Sequence, residues 1–184
     1  MGQVRQRQPV KLVASLLTGR PELLPEVRRA LERELGDIDY ISSLLPFNDT
    51  NYYEAEFGPG LQREIVTFKS LRDMADLAAV KNLTNALEMR WSQAGKRQVN
   101  IDPGYIALGK FVLATTKDQA HRIYIGLGIF AEVTLRYRKR SFEPWEWTYP
   151  DYASRPYITL LNELRQKYRE QLKLEFPLER SVTP

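Results

Sequence analysis

The sequence predicts an α+β domain: a ferredoxin-like βαββαβ core with an additional β-hairpin and a C-terminal helix. Three observations predict it. Apolar runs of strand length and two amphipathic helical stripes follow one another as strand, helix, strand, strand, helix, strand. From Gln98 onward the pattern turns to β, with glycines placed for a tight hairpin at Ile125-Gly-Leu-Gly-Ile129. A third helical stripe then begins near Pro156.

Lys11 to Leu17 reads as a buried first strand. Pro21 opens the first helix and Gly36 closes it, with Leu24, Val27, Leu31 and Leu35 as its apolar stripe. A second strand falls within Ile38 to Phe47 and a third within Gln62 to Phe68. Between them lie residues 48–60, a long connection of the kind that often carries function. Asp73 caps a second helix running to about Gln93, packed through Leu77, Val80, Leu83, Leu87 and Trp91. In the hairpin, pairing Ile125 with Ile129 sets Tyr124 against Phe130, Ile123 against Ala131, and Arg122 against Glu132. The last helix spans Pro156 to Leu174 and packs through Leu160, Leu161, Leu164, Tyr168 and Leu172. One domain over 1–174 and a tail over 175–184 are expected.

With no cysteine and one histidine, disulfides, thiolate chemistry, zinc and haem are not expected, whereas oxygen-ligated magnesium or manganese is admitted. The N-terminal stretch has no apolar signal core and no run approaches membrane-spanning length, so a cytoplasmic protein without membrane contact is expected. The net charge of +4, with Arg twice as frequent as Lys, suits phosphate-bearing partners without requiring them.

The polar residues of the β region are the candidate chemistry. Asn100 and Asp102 project from one face of a strand, and Pro103-Gly104 suits the centre of a type II turn. Asp102 is then either a ligand or metal group, or a turn cap. Arg122 opposite Glu132 is either a plain cross-strand ion pair or part of a set with Lys117, His121 and Thr134 that supplies acid, base and anion donors. A regular strand would point His121 away from Arg122. Lys81, Asn85 and Glu88 follow one flank of the second helix, either as its solvated border or as a second wall of the same site. Gly104 to Phe111 imitates a phosphate-binding loop up to Lys110, but Phe111 replaces the hydroxyl and the lysine enters a strand. Lys110 is retained as an anion ligand. Trp145, Trp147, Tyr149 and Tyr152 are core aromatics or stacking surface, with the polar tips of Tyr149 and Asp151 at a pocket edge.

Six stretches carry a family resemblance: Leu45–Glu54, Lys81–Glu88, Asn100–Tyr105, Lys110–Tyr124, Phe130–Leu135 and Trp147–Tyr152. On these the chain resembles the prokaryotic domain-of-unknown-function family 4416 over nearly its whole length. The resemblance implies no activity. It implies a grouping, since the family's polar motif residues map to Lys81, Thr84, Asn85, Glu88, Asn100, Asp102, Lys110, Lys117, His121, Arg122, Glu132, Thr134, Tyr149 and Asp151, which would suit a shared pocket.

The leading expectation is a protein that binds an anionic or phosphorylated small molecule, such as a nucleotide, with action on that molecule left open. Lys110, Lys117 and Arg122 would hold the anion. Asp102 and Glu132 would hold a metal or act as base, with His121 as a further acid or base. The alternatives are a non-enzymatic RNA- or protein-binding module using Tyr124 and Phe130 on an open sheet, and a structural subunit with a hydrogen-bonded interior network.

Overall fold

Eight consecutive buried residues, Lys11–Thr18, form β1. Burial on both faces of a strand requires layers above and below it. The computed structural model describes residues 7–47, 57 and 60–176, and in it β1 pairs antiparallel with β4 (Gln62–Phe68) on one side and β7 (Asn100–Ala107) on the other. Between β1 and β4 the chain makes α1 (Leu24–Leu35), β2 (Ile38–Ile41) and β3 (Leu45–Pro46). Gly36, at φ 92°, ends α1 in a conformation that side chains with a Cβ resist. The single strand expected over 38–47 is two segments. Ser42 separates them because its hydroxyl accepts the Ile65 N–H at 2.9 Å, replacing one rung of the backbone ladder.

The second helix, α2 (Leu77–Glu88), follows a cap in which Asp73 accepts the Ala75 N–H at 2.9 Å. It stops short of Gln93. Ser92–Gln93 (β5) folds back onto Lys96–Arg97 (β6) through Ala94 and Gly95, both at positive φ. After β7 come β8 (Lys110–Thr115), β9 (Arg122–Gly126), β10 (Ile129–Arg138), β11 (Ser141–Pro144), a short α3 (Pro150–Ala153) and the long α4 (Arg155–Glu175).

The main sheet runs β11-β10-β8-β7-β1-β4-β2, with β3 beside β4 and β9 beside β10. Its pairings are antiparallel, and together with the helices they make the protein α+β. Leu12, Ala14 and Leu16 of β1 pack under α1 and α2 with Leu31, Val80 and Leu87. Val13 faces the other way, toward Ile106, Phe111 and the Tyr157, Leu161, Leu164 and Tyr168 stripe of α4. No helix among the described residues is long and apolar enough to cross a membrane.

The chain departs from the expected pattern locally at the β9–β10 hairpin and at Pro103-Gly104. The hairpin turns on two residues, Leu127 and Gly128, with Gly126 opposite Ile129 and Ile125 left over at an irregularity. Beyond it the register is the expected one, Tyr124↔Phe130, Ile123↔Ala131 and Arg122↔Glu132. Pro103-Gly104 is not a turn. Both residues lie inside β7, opposite Ala14 and Val13 of β1. On its other side β7 pairs with β8 only from Gly104↔Leu113 to Ala107↔Lys110. Pro103 has no N–H to return to β8, so the ladder ends there and the two strands part. Most of the 48–60 connection, and 177–184 of the expected tail, lie outside the described residues.

Candidate functional site

Where β7 and β8 part, the β8-facing backbone of Ile101 loses its strand partner. Two side chains of α2 replace it. Glu88 Oε1 accepts the Ile101 N–H at 2.6 Å, and Lys81 Nζ donates to the Ile101 carbonyl at 3.1 Å. The flank of α2 is therefore not a solvated border, for Lys81 is 5% and Glu88 1% exposed. Thr84 between them is buried and returns its hydroxyl to the Lys81 carbonyl at 3.0 Å.

The same two groups start a chain of contacts across the opening. Lys81 Nζ also donates to Asp102 Oδ1 at 2.9 Å, Asn100 Nδ2 donates to Asp102 Oδ2 at 2.6 Å, and Arg97 Nη1 donates to Glu88 Oε2 at 2.6 Å and to Asn100 Oδ1 at 3.4 Å. Burial opposes the charge on Asp102, but the Lys81 ammonium, by field and by hydrogen bond, with Arg63 and Asn100, outweighs it and holds the carboxyl below the usual aspartate range. For Glu88 the balance is reversed. Burial, with the like charge of Asp102, pushes it up against the opposing pull of Lys81, the Ile101 N–H and Arg97.

A depressed carboxyl stabilises the fold above its unfolded pKa, about 3.9 for aspartate, and loses that contribution as pH falls through the folded value. Unfolding titrations between about pH 2 and 6 should accordingly show a shallower acid loss of stability for Asp102→Asn than for the wild type. An unchanged slope would mean that the Lys81 contact does not favour the ionised form.

The opposite wall is built from β8, β9 and β10. Leu113 pairs with Glu132, and Glu132 with Arg122, so these side chains share one sheet face. Glu132 is buried and accepts from Arg122 Nε at 2.9 Å and from Thr134 Oγ1 at 3.3 Å, while His121 Nε2 lies 3.1 Å from it. His121 and Arg122 thus converge on one carboxylate. The alternation that would have separated them does not apply, because His121 precedes β9 and sits in the turn that enters it. Arg122 also donates to the Lys117 carbonyl at 3.1 Å and to the Tyr149 hydroxyl at 3.4 Å. Behind His121 the Trp147 and Trp145 rings continue a stack, with centroids 5.3 Å and 5.1 Å apart.

Between the walls is a cavity of about 150 Å³, lined by Lys81, Asn85, Arg97, Asn100, Asp102, Leu113 to Lys117, Arg122, Glu132 and Tyr149. Lys81, Asn85, Asn100, Asp102, Lys117, Arg122, Glu132 and Tyr149 are brought together as the sequence suggested. Glu88, His121 and Thr134 stand behind them, each in contact with a lining residue or its immediate neighbour. Two expected members lie elsewhere. Lys110 is opposite Arg136 and Ala107 at the paired end of β8, since the hairpin that carries it turns away from the opening. Asp151 is buried in an ion pair with Arg63, where the α3 turn meets β4.

Arg97, Thr115 and Thr116 were not singled out in the sequence. Arg97 lies in a two-residue strand with no periodicity to mark it. The side chain of Arg63, in contact with the Phe47 and Tyr152 rings, reads in sequence as the polar position of an ordinary strand.

The two carboxylates expected to bind metal are already engaged, Asp102 by Lys81 and Asn100, Glu132 by Arg122, His121 and Thr134. Among the described residues no group of three or more His, Cys, Asp or Glu is arranged to hold a metal ion.

Comparison with curated proteins and with solved structures finds no match. The model of one family does match, over residues 8–168, a span that includes every residue of the cavity. The chain belongs to the family described as domain of unknown function DUF4416.

Proposed function

We propose that the opening between β7 and β8 binds a phosphorylated or otherwise anionic small molecule. The observation that carries this reading is the cavity's charge: Lys81, Arg97, Lys117 and Arg122 line it against Asp102 and Glu132, with Glu88 behind Arg97. A net positive, partly enclosed site attracts an anion strongly because little water competes for its donors. Asp102 fixes Lys81, Glu132 fixes Arg122, and Glu88 fixes Arg97. A magnesium or manganese ion would arrive as the counter-ion of a phosphate, held chiefly by phosphate and water oxygens, since Asp102 and Glu132 are engaged by Lys81 and Arg122.

Calorimetric titration with ribose 5-phosphate, with and without magnesium, tests this. Lys117→Ala should weaken binding roughly 10- to 100-fold, the loss of one charged hydrogen bond. Lys110→Ala should leave it unchanged. Equal effects of the two variants would overturn the assignment of the cavity.

A second reading, in which the site also acts on its ligand, is favoured by the 3.1 Å contact between His121 and Glu132. Glu132 would take a proton from the bound ligand or its water, and His121 would relay it outward. Asp102, held ionised by Lys81, would orient the ligand. The order β7-β1-β4-β2, which is the fourth, first, third and second strand of the expected core, supports the ferredoxin-like reading of the scaffold beneath.

A further inference from the structure

Two residues further along the same sheet face, the charged row gives way to an aromatic one. Thr115 of β8 pairs with Phe130 of β10, and Phe130 with Tyr124 of β9. Alternation puts this row on the face that carries Leu113, Glu132 and Arg122, and Thr115 itself lines the cavity. Tyr124 is 59% exposed although it packs edge-on against Phe130, with ring centroids 5.3 Å apart. An exposed aromatic beside a cationic pocket, braced by a half-buried neighbour, offers a face on which a flat ring stacks.

We infer that the ligand is a nucleoside monophosphate, with its phosphate in the cavity and its base stacked on the Tyr124 ring, which Phe130 braces edge-on. This rests on the reading of the cavity as an anion site. Size and spacing select the class. At about 150 Å³ the cavity is smaller than the roughly 300 Å³ at which pockets enclosing whole drug-sized ligands begin. It takes a phosphate and leaves the remainder of the molecule outside. The aromatic row lies two strand residues from the Glu132 row, about 7 Å, a distance a ribose spans between a single 5′-phosphate and its base. A di- or triphosphate would need further cationic surface on the way to the platform, and Phe130 and Tyr124 offer none. Stacking reads the face of a ring, which every base has, so it makes the site tolerant of base identity.

Calorimetry on the full chain separates the parts, using inorganic phosphate, ribose 5-phosphate, a nucleoside, the nucleoside monophosphates and a short oligonucleotide. The monophosphates should bind more tightly than ribose 5-phosphate. Tyr124→Ala should remove that advantage, a loss of roughly 5- to 100-fold. Tyr124→Phe should retain it, and ribose 5-phosphate should bind both variants like the wild type. Tyr124 is at the surface, so an unchanged melting temperature will show that the variants are folded.

If the monophosphates bind no better than ribose 5-phosphate, the stacking inference is overturned while the anion site stands. If no phosphate compound binds, both readings fall. Binding of the oligonucleotide alone would overturn the mononucleotide in favour of RNA.

Discussion

Arg122→Ala is expected to destabilise the protein by about 3–5 kcal/mol, lowering its melting temperature by roughly 6–20 °C. The cause is the carboxylate left behind. Glu132 and Arg122 have side chains only 4% and 3% exposed, and their 2.9 Å contact is the charged part of what neutralises Glu132. Without it the acid keeps the Thr134 hydroxyl and His121, neither of which supplies the permanent charge that an interior carboxylate requires. Arg122 also ties the Lys117 carbonyl and the Tyr149 hydroxyl to the same point. Anion binding should disappear with it. Replacing both members by apolar residues, Arg122→Met with Glu132→Leu, should recover most of the stability and none of the binding, since no isolated charge then remains. A loss below about 1 kcal/mol for the single variant, the range of exposed pairs, would mean that Glu132 reaches water.

Gly104→Ala should cost a comparable amount, about 3 kcal/mol or more, by a different route. A Cβ at Gly104 would collide with the Val112 carbonyl oxygen and stand 2.9 Å from Leu113 Cδ2. The carbonyl oxygen belongs to the backbone of the neighbouring strand, so no side chain can rotate aside to make room. The β7–β8 ladder must shift at its last rung, just where the strands part to make the cavity. Chemical denaturation should show the loss of stability, and ribose 5-phosphate should no longer bind even under conditions where the variant is folded. Wild-type stability with wild-type binding would show that the close approach of β7 and β8 does not set the opening.

These two residues also mark where the sequence was legible and where it was not. Arg122 opposite Glu132 could be counted out from the glycines of the hairpin, because antiparallel pairing propagates a register from the turn outward, and an irregularity at Ile125 moved the turn by one residue without disturbing it. Lys81, Asn85 and Glu88 were recognised as one flank of a helix. That two of them are buried depends on β8 leaving β7, an event signalled only by Pro103.

Pro103-Gly104 has the composition of a turn. Tertiary pairing with β1 kept it extended, which local preference does not disclose. Lys110 follows a glycine in a loop-like pattern that suggests an anion ligand, yet strand direction carries it away from the site. Arg63 reaches its partner Asp151 across 88 residues, and Arg97 meets Glu88 only because the chain folds back through β5 and β6, so their own sequence surroundings do not distinguish them from solvated arginines.

Whether the gap between β7 and β8 is an anion site is tested most directly by a ¹H–¹⁵N correlation titration of the full chain with ribose 5-phosphate. Saturable shifts are expected, concentrated at Asn100–Asp102, at Ala114–Lys117 and at Arg122 and Glu132, with the amides around Lys110 unmoved. A spectrum that does not change, or shifts centred on another surface, would contradict an anion site there.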